Sequence, residues 1–350
     1  MSGVIEISLS ALAANYRRLS RDAAAAVAAV VKADAYGLGA QRVVACLRQQ
    51  GCQEFFVATL AEGLALRRAH PEVRIYVLEG VRESTISPLL AADLTPVLNS
   101  AEQLQIWSTT GVGSDAAVHV DTGMQRLGLP YAQANALLAQ YQVLPSLLLT
   151  HFARADEVGH QTLALQLSRL QAVVAAQRLR QPTLRTSVSN SAALLQGLGP
   201  EDLGRAGIGL YGGNPLSGPL NPMQTVVRMY APVLQIRDVP EGVAVGYGGT
   251  HVTPQGTRLA VIGVGYADGV PRALSNCGQF WLGGRYCPIV GRVSMDLTVV
   301  EIGDTALEAG EPAEVMGDHV RVDDMARQAN TIAYEIFTGL GRRMPRKYLD

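Results

Sequence analysis

The sequence lacks the features that mark membrane-spanning, nucleic-acid-binding or disulfide-rich proteins. Its 29 lysines and arginines almost balance its 30 aspartates and glutamates, and they form no dense basic run that would suit a polyanion. No apolar run approaches the roughly 20 residues needed to span a bilayer. The cysteines Cys46, Cys52, Cys277 and Cys287 show no CxxC spacing, so buried thiols are expected rather than disulfides or a metal site. The sequence therefore predicts a soluble, cytoplasmic protein that binds neither membrane nor nucleic acid and holds no metal.

The length and the apolar pattern indicate a barrel domain in the first part of the chain. With 350 residues the chain exceeds what one hydrophobic core usually supports, so two domains are expected. Eight short apolar or β-branched runs are predicted as strands: Val27–Val31, Phe55–Ala58, Arg74–Leu78, Thr95–Leu98, Ala116–Val120, Ser146–Thr150, Leu184–Ser189 and Leu203–Arg205. Stretches with helical spacing separate them and include Gln41–Gln49, Ala61–Ala69, Ala132–Gln140 and Gln161–Arg178. This alternation predicts a (β/α)8 barrel of the TIM type.

The pattern changes after about residue 222, where glycine, proline, valine and tyrosine become more frequent. Short runs separated by turn residues are predicted as strands at Leu259–Val264, Phe280–Leu282, Ile289–Arg292 and Leu297–Ile302. We therefore expect a barrel over residues 1–221 and a β-rich C-terminal domain over residues 222–350. A further strand-like segment, Val4–Ser8, precedes the barrel, and the sequence leaves open which of the two domains it joins.

The residues with useful chemistry follow the predicted barrel strands, where barrel enzymes keep their active sites. They are Lys32 after the first strand, Asp121–Gly128 after the fifth, His151 after the sixth, Asn190–Ser191 after the seventh and Arg205–Gly209 at the eighth. Phosphate commonly binds after the last two strands of such barrels. There the Ser191 hydroxyl and the backbone N–H groups of Gly207 and Ile208 are available as donors. These residues predict a site for a phosphorylated cofactor.

Lys32 directly follows an apolar run and faces this predicted phosphate site. A lone lysine at a strand end is usually a surface charge. A lysine at a barrel mouth opposite a phosphate site, however, matches a Schiff-base lysine, which must reach its neutral amine form to react. Because burial lowers the pKa of a lysine, the position at the strand end would supply that activation.

Nine short motifs then make the chain resemble the alanine racemase family. In order, they are Val31–Gly39 (VKADAYGLG), Asp121–Gly128 (DTGMQRLG), His151–Asp156 (HFARAD), Ser189–Ala193 (SNSAA), Gly204–Gly212 (GRAGIGLYG), Val245–Gly248 (VGYG), Gly265–Gly269 (GYADG), Gly291–Asp296 (GRVSMD) and Thr331–Glu335 (TIAYE). Each motif alone is weak, but together they cover almost the whole chain. The resemblance implies an enzyme that uses pyridoxal 5'-phosphate to interconvert L-alanine and D-alanine.

The resemblance also implies a role for individual residues around the cofactor. Lys32 would bind the cofactor covalently and act as the base on the D face of the substrate, and Tyr247 would act on the L face. Arg205 would face the pyridine nitrogen and, because an arginine keeps its proton, would leave that nitrogen unprotonated. The phosphate would be held by Tyr36, Ser191, Gly207, Ile208 and Tyr334.

Other residues would support the substrate and the second base. Arg126 and the backbone N–H of Met295 would bind the substrate carboxylate. His151 and Arg205 would assist Tyr247 through a chain of hydrogen bonds, because an unperturbed phenol is a poor base at neutral pH. The supporting positions are Arg272, which would fix Tyr247, Tyr266, which would line the substrate entrance or pack in the core, and Asp296, which would support the site or cap a loop.

The sequence departs from the common family pattern at three positions. Many members carry, two residues before the DTGM motif, a carbamylated lysine that helps to position the arginine equivalent to Arg126, and here that residue is His119. Ser294 stands where cysteine is frequent, and Leu38 replaces a common histidine. Since His119 has no lysine amine, we expect no carbamate at this position.

Several alternatives stay open at this point. The substrate could be serine, lysine or a broad range of amino acids rather than alanine. A non-catalytic pyridoxal-phosphate carrier would not need the second domain, and a decarboxylase of similar architecture would need an acidic residue where Arg205 stands. The resemblance further implies a homodimer in which each active site is shared between subunits, and D-alanine as a precursor of cell-wall peptidoglycan.

Overall fold

A computed structural model describes residues 3–21, 25–199, 201–239, 242–254 and 256–350 of the chain. The strands are β1 (Val4–Ser8), β2 (Ala26–Val30), β3 (Glu54–Val57), β4 (Arg74–Val77), β5 (Thr95–Leu98), β6 (Ala117–Asp121), β7 (Leu129–Pro130), β8 (Leu147–Leu149), β9 (Arg185–Ser187), β10 (Leu203–Ala206), β11 (Val227–Val239), β12 (Thr257–Ile262), β13 (Gln279–Leu282), β14 (Arg285–Pro288), β15 (Thr298–Glu301), β16 (Pro312–Met316) and β17 (Arg346–Leu349). The helices are α1 (Leu9–Arg21), α2 (Lys32–Gly37), α3 (Ala40–Gln49), α4 (Leu60–Ala69), α5 (Glu83–Ala91), α6 (Ala101–Thr110), α7 (Tyr131–Gln140), α8 (Thr162–Arg178), α9 (Ser191–Leu195), α10 (Val322–Gln328) and α11 (Ala333–Thr338).

The first part of the chain forms the predicted barrel. Eight parallel strands follow one another in the order β10, β2, β3, β4, β5, β6, β8 and β9. The ring almost closes, because the Asp202 N–H donates to the Thr186 carbonyl at 3.0 Å and the Arg205 N–H donates to the Ser189 carbonyl at 2.8 Å, next to β9 and β10. The barrel prediction is confirmed, and each of the eight strands lies within one or two residues of its predicted bounds.

The inside of the barrel is filled with side chains, so a ligand can enter only at its mouth. Phe56 stacks on Tyr76 with their ring centroids 4.4 Å apart. At the amino end of the strands, Glu54 accepts hydrogen bonds from the Tyr76 hydroxyl at 2.8 Å and from the Arg185 guanidinium at 2.7 Å. Burial alone would raise the pKa of Glu54, but these hydrogen bonds hold it below its usual value. This network closes the end of the barrel opposite the predicted site.

The C-terminal part forms a second, mixed sheet. Its strands run in the order β14, β13, β16, β11, β1 and β17, with β12 paired to β11 and β15 paired to β12. The segment Val4–Ser8 belongs to this sheet, because β1 pairs antiparallel with β11 and parallel with β17. The predicted strand Ile289–Arg292 is wrong: Ile289 makes a single bridge to Val300, and the regular strand is β14 just before it. Gly291 turns the chain there with φ of +77°, a conformation that ends an extended strand.

The prediction of buried thiols holds for three of the four cysteines. Cys46, Cys52 and Cys287 are buried, whereas Cys277 is exposed, and all four are free thiols. Cys277 lies in a turn beside the 3-10 segment Arg272–Leu274, and this loop stays at the surface of the second domain. An apolar sequence context therefore did not ensure burial at that position.

The segment after Lys32 has an unusual backbone. Four successive residues other than glycine, Ala33 to Tyr36, adopt φ values between 52° and 58°, so α2 is a left-handed turn. Each such residue costs about 1–2 kcal/mol because its Cβ crowds the following carbonyl. Contacts from elsewhere hold the turn in place: the Ala33 N–H donates to Glu62 Oε1 at 2.8 Å, and the Tyr36 ring packs on Tyr211 at 4.6 Å between centroids. The turn therefore fixes the direction in which Lys32 leaves β2.

The left-handed turn predicts an unusual response to glycine. Ala33→Gly should raise the free energy of unfolding by roughly 0.5 kcal/mol, because the relief of left-handed strain exceeds the entropy that glycine loses on folding. The matched control is Ala136→Gly on the exposed face of α7, which should lower it by about 1 kcal/mol. Urea denaturation of both variants gives the comparison, and equal losses would show that the turn stores no strain.

Candidate active site

A cavity of about 690 Å³ opens at the carboxyl ends of the barrel strands. The barrel strands bring their terminal side chains to this edge, as their parallel arrangement requires. The cavity is bordered by nine of the residues that the sequence singled out: Lys32, Tyr36, Arg126, His151, Ser191, Arg205, Gly207, Ile208 and Tyr334. His119 and Asn99 also line it. Residues that are far apart in the sequence therefore share one site.

Lys32 lies where β2 ends and the left-handed turn begins, and its side chain is partly buried. Burial lowers the pKa of its amine, and the positive charge of Arg126 lowers it further, while Glu62 acts in the opposite direction. A lowered pKa increases the fraction of neutral amine at neutral pH, and only the neutral amine can react with an aldehyde or accept a proton. The surroundings of Lys32 therefore suit a reactive amine.

One end of the cavity gathers the hydrogen-bond donors that a phosphate needs. The Ser191 hydroxyl accepts hydrogen bonds from the backbone N–H groups of Gly207 and Gly209, at 2.8 and 3.3 Å. A Cβ atom at Gly207 would lie only 2.9 Å from the Tyr36 hydroxyl oxygen, so only glycine lets these groups come so close. Burial raises the pKa of the Tyr36 and Tyr334 phenols, which keeps both as neutral donors. This donor set fits the phosphate of the cofactor that the sequence implies.

Arg205 brings a buried positive charge to the wall of the cavity. Its guanidinium donates to the Ser187 hydroxyl at 2.5 Å and to the Thr150 carbonyl at 2.6 Å, and it contacts His151 Nδ1 at 3.4 Å. Burial lowers the pKa of Arg205 to about 10, so it stays protonated at neutral pH. The pKa of His151 falls to about 3 because of burial and then of Arg205. His151 is therefore neutral, with Nδ1 as the acceptor towards Arg205.

Arg126 is carried by a loop that a carboxylate shapes. The Asp121 side chain accepts hydrogen bonds from the backbone N–H groups of Gly123 at 2.9 Å, Met124 at 2.8 Å and Gln125 at 3.0 Å. Such a run of bonds from one carboxylate stabilises a tight turn. The loop presents Arg126 at the cavity with its side chain exposed.

Five of the predicted site residues lie in the second domain and do not border this cavity. Tyr247, Met295 and Tyr266 are exposed, with 73%, 52% and 43% of their surface accessible. Asp296 forms a salt bridge with Arg343 at 2.7 Å, and Arg343 forms a second salt bridge with Asp268. Within the described part of the chain, no hydrogen bond joins Arg272 to Tyr247.

Some residues that the structure assigns to the site were missed from the sequence. Glu62 joins the Lys32 turn to the start of α4, because Oε1 accepts from the Ala33 N–H at 2.8 Å and Oε2 accepts from the Ala58 N–H at 2.7 Å. The capping-box pattern Thr59 to Glu62 was visible in the sequence, although its link to the turn was not. A composition signal also pointed to Lys32, since the chain contains only two lysines, Lys32 and Lys347.

Comparisons with known proteins agree with this arrangement. The chain matches the family models for the alanine racemase N-terminal domain over residues 7–215 and the alanine racemase C-terminal domain over residues 226–348. It is 43% identical to an alanine racemase of Rhodospirillum rubrum, over 99% of this chain and 96% of that protein. It is 44% identical to a catabolic alanine racemase of Agrobacterium fabrum, over 100% of this chain and 92% of that protein. The fold is similar to the crystal structure of alanine racemase from Bartonella henselae with covalently bound pyridoxal phosphate, with a TM-score of 0.92, 35% identity and 100% of both chains covered.

The surroundings of Lys32 predict how its reactivity depends on pH. In the cofactor-free protein, reductive methylation of Lys32 should reach half its maximal rate at a pH below the usual lysine range, because burial and Arg126 lower its pKa. Arg126→Leu should move this midpoint up, and Glu62→Gln should move it down. Mass spectrometry of the peptides separates Lys32 from Lys347, which is exposed and monitors the reagent.

The matched control is Arg68→Leu, which removes an exposed charge on α4 and should leave the Lys32 midpoint unchanged. A midpoint in the ordinary lysine range, or shifts of the same sign for Arg126→Leu and Glu62→Gln, would contradict the electrostatic account of the site.

Proposed function

This chain belongs to the alanine racemase family, and from that premise we propose that Lys32 and Tyr247 are the two proton-transfer groups of its reaction. The enzyme interconverts L-alanine and D-alanine with pyridoxal 5'-phosphate. The observation that carries the assignment is that a partly buried amine with a lowered pKa, Lys32, and a buried guanidinium, Arg205, border one cavity at the barrel mouth.

Different cavity residues bind different parts of the cofactor. Bound pyridoxal phosphate supplies an electron sink that allows a proton to leave the α-carbon of an amino acid. Lys32 would hold the cofactor covalently, and Arg205 would face its ring nitrogen. Because Arg205 remains protonated and would donate to that nitrogen, it would keep the electron sink weak, which favours plain proton exchange over side reactions. The phosphate would be held by residues that line the same cavity, namely Tyr36, Ser191, Gly207, Ile208 and Tyr334.

Two bases on opposite faces of the substrate account for racemisation. Lys32 serves the D face, where its lowered pKa increases the fraction of neutral amine that can accept a proton. Tyr247 serves the L face. An ordinary phenol, with a pKa near 10, needs help to accept a proton at neutral pH. The contact of 3.4 Å between Arg205 and His151 supports a hydrogen-bond chain that gives this help, and Arg272 would fix the phenol.

The substrate is held mainly through its carboxylate. Arg126 and the backbone N–H of Met295 bind that group, since a guanidinium and an amide are natural carboxylate donors. Tyr266 lines the approach to the site. Asp296 acts through its salt bridge to Arg343, which supports the loop that contains Met295.

We assign the active enzyme to a homodimer with shared sites. In the single chain Tyr247 and Met295 are exposed on the second domain, while the groups that they must meet lie at the barrel mouth. A head-to-tail dimer would bring the second domain of one subunit to the barrel of the other and bury these side chains. Each active site would then need residues of both subunits.

The cellular setting is part of the same proposal. No helix among the described residues is long and apolar enough to cross a membrane. The four free cysteines suit a reducing compartment, so we assign the enzyme to the cytoplasm. Its product D-alanine would serve as a precursor for bacterial cell-wall peptides.

The alternatives differ from this proposal in specific residues. A decarboxylase would need an acidic group at the ring nitrogen of the cofactor. In this cavity the residue that we assign to the ring nitrogen is Arg205. A non-catalytic carrier would not need the second domain with its exposed Tyr247. Racemases of serine or lysine share the same machinery, and following the loss of optical rotation of L-alanine, L-serine and L-lysine ranks the three substrates.

The two-base assignment is tested by Tyr247→Phe. Losing one acid–base group should lower the rate of racemisation about 10²–10⁴-fold. The two directions must fall together in kcat/KM, because the equilibrium constant between enantiomers is fixed at one. In heavy water the variant should still exchange the α-hydrogen of D-alanine with retention, through Lys32, and should lose the exchange on L-alanine.

Wild-type protein measured in parallel should exchange and racemise both enantiomers. Comparable exchange from both enantiomers in the variant, or near-normal racemisation, would remove Tyr247 from the mechanism while leaving the family assignment intact.

The shared site predicts complementation between inactive subunits. Mixing Lys32→Ala protein with Tyr247→Phe protein, under conditions where subunits exchange, should restore activity, because each heterodimer contains one site with both bases. Native mass spectrometry confirms the exchange. If heterodimers form and no activity returns, each site is complete within one chain.

A further inference from the structure

His119 is a buried side chain with one unsatisfied nitrogen that the reaction does not explain. It lies on β6 and is only 7% exposed. Its Nε2 atom is fully buried and has no hydrogen-bond partner among the described residues. A buried polar atom without a partner costs about 1–3 kcal/mol. The imidazole also borders the cavity that contains Lys32 and Arg126, so a partner for Nε2 can come from that side.

The other ring nitrogen determines what Nε2 can do. His119 Nδ1 contacts Asn99 Oδ1 at 3.0 Å. The amide nitrogen of Asn99 donates to the carbonyls of Leu78 at 2.9 Å and Val97 at 2.7 Å, so the amide oxygen must be the atom that faces His119. An oxygen that only accepts requires an N–H at Nδ1. In a neutral ring Nε2 then keeps its lone pair and is an acceptor.

The charges around His119 keep the ring neutral. Burial lowers its pKa to about 4, the positive charges of Arg205 and Arg126 act in the same direction, and Asp121 opposes them. At neutral pH the imidazole therefore offers a lone pair, not a proton, at Nε2. The missing partner of Nε2 must therefore be a hydrogen-bond donor.

Arg126 is a donor close enough to act on this ring, since its positive charge lowers the pKa of His119. The guanidinium of Arg205 contacts Ser187, Thr150 and His151, and its remaining N–H groups are the ones that we assign to the cofactor ring nitrogen. The loop that carries Arg126 passes beside the ring, since a Cβ at Gly128 would lie 3.2 Å from His119 Cδ2, the atom bonded to Nε2. An arginine side chain has hydrogen-bond donors and no acceptor, so it complements the unprotonated Nε2 of His119.

We propose that His119 is a positioning residue for Arg126: held by Asn99 with its proton on Nδ1, the neutral imidazole accepts a hydrogen bond from the Arg126 guanidinium at Nε2. The inference rests on the proposed role of Arg126 in binding the substrate carboxylate. A neutral acceptor orients the guanidinium without cancelling its charge. Arg126 thus keeps its full attraction for the carboxylate and its effect on Lys32, and it depends on no added anion or carbamate.

The state of the ring can be measured directly. Protein labelled with ¹⁵N-histidine contains 6 histidines, and the spectrum of His119→Phe identifies the signals of His119 by their loss. We expect a neutral ring with the proton on Nδ1 between about pH 6 and 8, in the protein with and without cofactor. A proton on Nε2, or a charged ring at neutral pH, would overturn the proposal even in an enzyme that racemises alanine normally.

Kinetics of the holoenzyme test the link to Arg126. His119→Phe keeps the ring shape without the acceptor and should raise KM for L-alanine about 10-fold, with a smaller change in kcat. His119→Gln places an amide oxygen near the position of Nε2 and should recover most of the loss. In an Arg126→Leu background His119→Phe should change KM no further, because the pair is already broken. Independent, additive effects would overturn the proposal.

A readout in the cofactor-free protein separates positioning from general damage to the fold. If His119 holds Arg126 near Lys32, His119→Phe should raise the pH midpoint for methylation of Lys32, as Arg126→Leu does, and His119→Gln should not. An unchanged midpoint in His119→Phe would overturn the proposal. The proposed function fails separately, through the absence of racemisation in the wild-type enzyme.

Discussion

The constraint on which this site depends is the burial of a positive charge, that of Arg205, which no carboxylate in the described part of the chain neutralises through a hydrogen bond. Among the described residues, the hydrogen-bond partners of the Arg205 guanidinium are a hydroxyl, a carbonyl and an imidazole, all of them neutral. The low pKa values of His119 and His151 follow in part from this charge, and that of Lys32 follows in part from Arg126. A cavity that gathers cations in this way favours ligands that bring negative charge, as a phosphate and a carboxylate do. The barrel supplies the rigid frame that keeps these groups together.

The sequence allowed most of the barrel to be predicted, because each strand is a short apolar run and the intervening helices repeat apolar residues at regular spacing. It also located Lys32 and Arg205, since residues at strand ends meet at the barrel mouth. It did not reveal the left-handed turn after Lys32, because alanine and tyrosine rarely adopt that conformation and the contacts that impose it come from Glu62 and Tyr211. The place of Val4–Ser8 stayed open for a related reason: its partners β11 and β17 lie more than 200 residues further along the chain. The strand predicted at Ile289–Arg292 failed because periodicity does not register the turn at Gly291.

The two ends of the barrel use charge in opposite ways. At the amino end, Glu54 and Arg185 neutralise each other and, with Tyr76, close the interior. At the carboxyl end the cations have no such partner among the described residues, and the cavity stays open. The same architecture thus provides a stable end and a reactive end, a division that is general for barrel enzymes. The polar network around Asn99 belongs to the reactive end, although none of its hydrogen bonds involves a charged group.

Because the chain contains only two lysines, few of its side chains can react with an aldehyde. Arginine supplies nearly all of its positive charge, and arginine does not condense with aldehydes under the mild conditions in which a neutral amine does. Lys347, the one lysine besides Lys32, lies on the surface in a salt bridge with Glu6. A reactive aldehyde in the cell therefore finds very few places to attach to this chain. The amount of cofactor bound covalently to the protein should consequently equal the number of its active sites, because few other groups of the chain can form that bond.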